Sequence, residues 1–173
     1  HTTKAMELAS GTRASYNAAN FLTSLNRPEE ADEMLRPLDP DHGPMRDWPS
    51  YWNQRAHASH LLGRYDDELM AARELKRRFP KQRSALVIEA RALAALGRRA
   101  EVDSLLIAAE TLDPDVYWSQ GAMRQVAAEE FALHHSGDST AMYRAAATWL
   151  ETRLRDAPTN RSHREWLSQA MIG

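Results

Sequence analysis

The chain has 173 residues, of which 43% are hydrophobic and 27% are charged, and its formal net charge is −2. These values are typical of one globular domain and exclude a disordered chain, and the small net charge gives no overall positive field for nucleic acid. The absence of cysteine excludes disulfides, thiolate catalysis and zinc–sulfur sites. No apolar run approaches the roughly 18 residues of a membrane span, so we predict neither nucleic-acid binding nor membrane insertion.

The origin of the chain is indicated by its basic residues and its ends. Three of the 22 basic residues are lysines and the other 19 are arginines, which indicates a GC-rich bacterial genome. The chain begins at His1 without methionine or an apolar signal region. We therefore expect a fragment of a longer protein, located in the bacterial cytoplasm, with the periplasm as the open alternative.

The first predicted pair of helices spans about residues 3–40. Asn26 takes the role of a turn-forming glycine, because asparagine tolerates the left-handed backbone region. Pro28 then suits the first turn of the second helix. That second helix is predicted to end near Leu38, and the composition of 39–44 predicts a loop.

The middle of the chain contains a repeat. Three anchor positions recur after 34 residues: Gly63 and Gly97, Pro80 and Pro114, and Trp52 and Leu86. Within one period, Gly63 can take the left-handed conformation that closes a helix. Asp66 suits the positive end of a second helix, and Pro80 stops that helix. The repeat therefore predicts two antiparallel helical hairpins, with units at 49–82 and 83–116.

A longer hairpin and a last helix are predicted after these units. Residues 116–135 are predicted as its first helix and 136–138 as its turn, and Pro158 closes the second helix. The unit spans about 117–158, and a terminal helix covers 160–172. A single hairpin cannot bury its own apolar face and needs neighbours, so we predict one domain over 1–173.

The pattern resembles the tetratricopeptide repeat, a family with 34 residues per repeat, an early Trp, small residues near the helix crossing, Gly at the turn and Pro at the end. The matches in the two central units are Trp52, Ala56, Gly63, Tyr65, Ala72 and Pro80, and Leu86, Ala90, Gly97, Ala109 and Pro114. Glu68 departs from the pattern, which has a small residue there, and Arg99 stands where it has Tyr. The resemblance implies an all-α fold, a right-handed α-α superhelix built as a solenoid of antiparallel hairpins.

The resemblance also implies a function. In that family the first helix of each repeat lines a concave groove that binds another protein or an extended peptide. Carried onto this sequence, the groove positions are Tyr16, Asn20, Asn53, His57, His60, Arg91, Trp118 and Gln125. Side-chain amides both donate and accept hydrogen bonds, as a peptide backbone requires, and Arg91 can pair with a carboxylate. We therefore predict a protein- or peptide-binding adaptor or scaffold.

Two other functions stay open. An uncapped solenoid exposes an apolar end, so homo-oligomerisation through the repeat ends, or another structural role, is the alternative. The third hypothesis is a ligand-sensing or enzymatic groove, although the chain has neither a Gly-x-Ser-x-Gly elbow nor a Gly-rich phosphate loop. We predict no enzyme, cofactor or metal. His57 and His60 can face one point, but no third zinc ligand is evident in the nearby sequence.

Overall fold

The computed structural model describes residues 13–42, 45–109, 120–135 and 139–171. In these ranges the chain is all-helical, which confirms the predicted all-α class, and none of its helices is long and apolar enough to cross a bilayer. The helices of the described residues are α1 (Arg13–Ser24), α2 (Pro28–Leu35), α3 (Pro49–Leu61), α4 (Tyr65–Arg78), α5 (Ser84–Ala95), α6 (Arg99–Ala108), α7 (Gln120–His134), α8 (Ser139–Asp156) and α9 (Arg161–Ala170).

The helices belong to two compact units, residues 1–85 and 86–173. The first unit contains α1–α4 and the first two residues of α5, and the second contains the rest of α5 and α6–α9. Three features of the sequence prediction, namely Pro114, Trp118 and the turn at 136–138, lie outside the described residues.

One type of backbone turn ends three of the helices. Asn26, Gly63 and Gly97 have φ values of 55°, 68° and 70°. The amide of each donates to the carbonyl three residues earlier, and the following amide donates to the carbonyl five residues earlier, at 2.9–3.0 Å. This pair of bonds is the Schellman motif, which needs a residue in the left-handed region. The predicted roles of Asn26 and Gly63 are therefore confirmed.

Helix α4 illustrates why these segments are helical. Its first turn is acidic and its last turn is basic, which suits the positive and negative ends of the helix dipole. Leu69, Ala72 and Leu75, which follow one another at three-residue intervals along one face, are all buried. Burying a leucine stabilises the fold by about 2 kcal/mol. The helix ends at Arg78, just before Phe79 and the predicted stop at Pro80.

The connection between α2 and α3 is held against the end of α4. Gly63 follows Asn26 by 37 residues, against 34 for the next interval, and the connection lies within this longer interval. Arg78 Nη1 donates to the Pro40 carbonyl at 3.0 Å, and Arg78 Nη2 lies 2.5 Å from Asp41 Oδ1. These contacts therefore hold the part of the connection around Pro40 and Asp41 against α4.

The second unit contains a close helix crossing. A Cβ atom built on Gly121 of α7 would lie 2.6 Å from Leu150 Cδ2 and 3.1 Å from Trp149 Cζ3 of α8. Leu150 forms a buried cluster with Ala146 and with Ala170 of α9. Glycine at this position therefore allows α7 and α8 to approach closely.

Candidate functional site

The first helices of the two hairpins in the first unit, α1 and α3, pack directly against each other. The Gln54 amide on α3 donates to Thr23 Oγ1 at 2.7 Å and to the Ala19 carbonyl at 3.3 Å. Near the start of α1 and just before α3, the ring centroids of Tyr16 and Trp48 lie 4.2 Å apart. These contacts advance along α1 and α3 in the same chain direction, so the two helices are parallel.

This parallel packing brings predicted groove residues onto one side of the two helices. Successive residues turn by about 100° around an α-helix. On α1, Tyr16 and Asn20 are rotated from the contact with α3 in one sense, by roughly 40–80°. On α3, Asn53, His57 and His60 are rotated from the contact at Gln54 in the opposite sense, by roughly 60–120°. Because α1 and α3 are parallel and face each other, rotations of opposite sense turn the side chains of both helices toward the same side of the pair. We call this surface the α1–α3 face: Tyr16, Asn20, Asn53, His57 and His60.

A partner can reach the members of the α1–α3 face to different extents. Asn20 and His57 are exposed, whereas Tyr16, Asn53 and His60 are half-buried. Asn53 Nδ2 donates to the Pro49 carbonyl at 3.2 Å, so its amide is oriented and its Oδ1 can accept a further hydrogen bond. The face therefore combines reachable polar groups with side chains held in place by the protein.

His60 forms contacts with the second helix of the α3–α4 hairpin. Its Nδ1 lies 2.9 Å from Glu68 Oε2 of α4, and the side chains of His60 and Glu68 are 19% and 0% exposed. The His60 ring also lies 5.7 Å from the Tyr65 ring. A buried carboxylate needs a hydrogen-bonded partner. This pairing explains how the large residue at position 68, the departure from the repeat pattern, is accommodated.

The predicted residues of the second unit are less accessible. Arg91 is half-buried on α5. Gln125 on α7 is 1% exposed, and its Nε2 donates to Glu129 Oε1 of the same helix at 2.9 Å. A partner cannot reach the Gln125 side chain in this arrangement, so we leave it out of the binding surface. Trp118 lies outside the described residues.

The second unit also has an open cleft that the sequence analysis missed. It has a volume of about 730 Å³ and lies along α8, with one contribution from α7. Its floor contains Ala141, Ala145 and Trp149, and three arginines surround them: Arg124, Arg144 and Arg153. We call this the α8 cleft. Its sequence signal is a small and aromatic stripe at helical spacing with flanking arginines, which by itself resembles an ordinary amphipathic helix.

The end of α4 contains a cluster of paired charges around Glu74. Glu74 accepts hydrogen bonds from Arg77 Nη2 at 2.6 Å and from Arg78 Nε at 3.1 Å. The hydrogen bond from Arg77 is the main cause that lowers the pKa of Glu74 to about 2. A carboxylate stabilised in its charged form is a poor general acid or base near neutral pH. This cluster is therefore structural rather than catalytic.

Metal ligation by the histidines of α3 would need a third ligand beside them. Among the residues that the structure describes, no three His, Asp or Glu side chains converge in a way that can hold a metal ion. The hydrogen bond to Glu68 gives His60 a structural role within the α3–α4 hairpin.

No protein-family model, curated protein or solved structure matched this chain.

Proposed function

We propose that this chain is a tetratricopeptide-like repeat domain that binds another protein or an extended peptide through the first helices of its hairpins. The α1–α3 face carries the proposal, because two parallel helices bring the polar side chains selected by the repeat pattern to one side. The Schellman turns at Asn26, Gly63 and Gly97 support repeated hairpins. We propose that these hairpins stack as a right-handed α-α superhelix.

The chemistry of the face suits a peptide backbone. An extended peptide presents amide donors and carbonyl acceptors along its length, and side-chain amides satisfy both. Asn20 is exposed and Asn53 is held with its Oδ1 able to accept. Leu61, which is exposed and follows His57 by four residues on α3, adds an apolar contact next to His57. A protein partner can therefore gain hydrogen bonds and apolar burial at one surface.

Site-specific photocrosslinking tests this proposal. A photoreactive amino acid is placed at Asn20 or at His57, and the matched control is Met70, which is exposed on the second helix α4. In a lysate of the source organism, we expect one and the same partner to be captured from positions 20 and 57 and not from 70. Equal capture from Met70 would place the interface elsewhere and contradict the proposal.

The captured partner then allows a quantitative test with purified proteins. Asn20→Ala and His57→Ala each remove a polar contact worth about 0.5–1.5 kcal/mol, which corresponds to roughly 2- to 12-fold in Kd. Calorimetry should show this loss for both variants and an unchanged affinity for Met70→Ala. Unchanged binding by the Asn20 and His57 variants would rule out the α1–α3 face as the interface.

Self-association is the second candidate function, and exposed apolar side chains favour it. In the second unit Ile107, Leu133 and Met171 are 67%, 74% and 70% exposed. Light scattering over a range of concentrations separates the two functions. The peptide-binding proposal expects a monomer. A dimer that Leu133→Lys dissociates would favour self-association.

A further inference from the structure

The charges around the α8 cleft have one sign. Three arginines, Arg124, Arg144 and Arg153, line it, and none of the lining residues in the described part of the unit is acidic. A smaller cavity shares Arg124 with the cleft and includes Asp103. Both carboxylate oxygens of Asp103 lie 3.0 Å from Arg99 Nε, so that negative charge is already compensated. Arg144 and Arg153 therefore present positive charge to a ligand in the cleft.

The floor of the cleft is an apolar stripe on one side of α8. Ala141, Ala145 and Trp149 follow one another at four-residue intervals, so they lie along the same face. Arg144 and Arg153 are turned by roughly 90° from this stripe in opposite senses, so they flank it on both sides. They are separated by roughly 14 Å along the helix axis. A ligand that fits has an apolar centre and acidic groups on either side of it.

The threonines beside the stripe do not compete for this role. Thr148 donates its hydroxyl to the Arg144 carbonyl at 2.8 Å, and Thr152 donates to the Thr148 carbonyl at 2.9 Å. Their hydroxyl protons are used within the helix, so charged recognition falls to the guanidinium groups. Guanidinium groups match carboxylates through two parallel hydrogen bonds.

We propose that the α8 cleft binds an acidic peptide segment of a partner protein, with an apolar side chain on the stripe and carboxylates at Arg144 and Arg153. A separation of roughly 14 Å corresponds to about four residues of an extended chain. This second site belongs to the second unit, whereas the α1–α3 face belongs to the first, and it stands whether or not that face binds a partner.

The surroundings of Trp149 favour a peptide over single-stranded nucleic acid. Binding of bases without sequence preference uses aromatic rings whose faces are open for stacking. Here the Arg153 guanidinium lies over the Trp149 ring, 5.3 Å from its centroid. His163 packs against the same ring at 5.7 Å with an interplanar angle of 82°. Trp149 is therefore held as part of the floor rather than presented as a stacking platform.

Fluorescence anisotropy with the intact chain tests the proposal. The probe is a labelled peptide with two glutamates about four residues apart and a leucine between them, a spacing taken from the extended-chain length. A peptide of equal charge with adjacent glutamates and an oligonucleotide of equal charge are the comparisons. We expect the spaced peptide to bind more tightly than both comparison ligands.

The variants locate the binding to the cleft. Arg144→Glu should weaken the binding of the spaced peptide by at least about tenfold in Kd, because it replaces a favourable charge by a repulsive one. The affinity of Arg144→Lys for the spaced peptide should lie between those of the unchanged protein and Arg144→Glu, since lysine keeps the charge without the planar guanidinium group. Arg161→Glu, an equal charge change at an exposed residue of α9 outside the cleft, should leave the affinity unchanged. His57→Ala should also have no effect, which separates this test from that of the α1–α3 face.

Arg144 is exposed, so its replacement should leave the fold intact. Thermal unfolding verifies this, and Arg144→Gln provides a second variant that adds no repulsive charge. Three results would overturn the proposal: no binding of the spaced peptide, equal binding by the Arg144 variants, or tighter binding of the oligonucleotide with the same dependence on Arg144.

Discussion

The turn after α5 needs glycine for two separate physical reasons. The φ of Gly97 is 70°, a left-handed conformation that costs a residue with a Cβ about 1–2 kcal/mol. A Cβ there would also lie 2.9 Å from Cε1 and 3.0 Å from Nε2 of His135. His135 Nε2 is hydrogen-bonded to the Ala95 carbonyl at 3.0 Å. Gly97→Ala must therefore adopt a strained backbone and also displace a bound side chain.

Gly63 provides the matched comparison. Its φ is 68°, and a Cβ there would meet no atom within 4 Å. We expect Gly63→Ala to lower the free energy of unfolding by only the backbone contribution, about 1–2 kcal/mol. Gly97→Ala also disrupts the His135 hydrogen bond, worth about 1 kcal/mol, so its total is about 2–3 kcal/mol. Gly63→Asn should cost less than Gly63→Ala, because Asn26 already occupies this conformation in the same chain.

A double-mutant cycle in urea measures the second contribution. Gly97→Ala, His135→Ala and the double variant should show a coupling of about 1 kcal/mol, since the alanine methyl no longer collides once the imidazole is absent. A coupling below about 0.3 kcal/mol would refute the argument. Equal losses for Gly63→Ala and Gly97→Ala would refute it as well.

Three further predictions concern packing and charge. Gly121→Ala should lower the free energy of unfolding by about 1–2 kcal/mol in thermal or urea unfolding, because crowding in the α7–α8 crossing exceeds the gain in helix propensity; a stabilised variant would contradict the crossing described here. The folded pKa of Glu74 is about 2, against 4.5 for the isolated group, so the stability from its pairing with Arg77 is complete above about pH 4.5 and is lost as the pH falls towards 2. Glu74→Gln should flatten that part of the stability–pH curve, and an identical curve would contradict the pairing. His60→Ala should cost about 2 kcal/mol, because it removes a hydrogen bond to the buried carboxylate of Glu68; a loss below about 0.5 kcal/mol would show that the bond adds little.

The sequence predicted those features that depend on local chemistry. The left-handed residues Asn26 and Gly63, the start of α2 at Pro28 and the acidic start of α4 all follow from preferences that act within one helical turn. The helix class follows from the spacing of buried residues such as Leu69 and Leu75 along one face. Such signals need no knowledge of neighbouring helices.

Other features depend on contacts between helices and could not be read from the chain. In the sequence, Glu68 is only a departure from the repeat pattern. The structure shows that it pairs with His60 within the hairpin. Gln125 had the spacing of a groove residue, but its burial depends on how α7 packs. The arginines of the α8 cleft, such as Arg144, became a candidate site only when their positions around one stripe were known.

The anchoring of the connection between α2 and α3 has a consequence for how this chain can vary in length. Because Arg78 holds Pro40 and Asp41 against the end of α4, residues added before Pro40 or after His42 extend a tethered loop without shifting the register of α3. Ordinary loops tolerate such insertions well, since closing a longer loop costs little additional entropy. This connection is therefore a place where evolution or an engineer can lengthen the chain, whereas the short turns at Gly63 and Gly97 have fixed length.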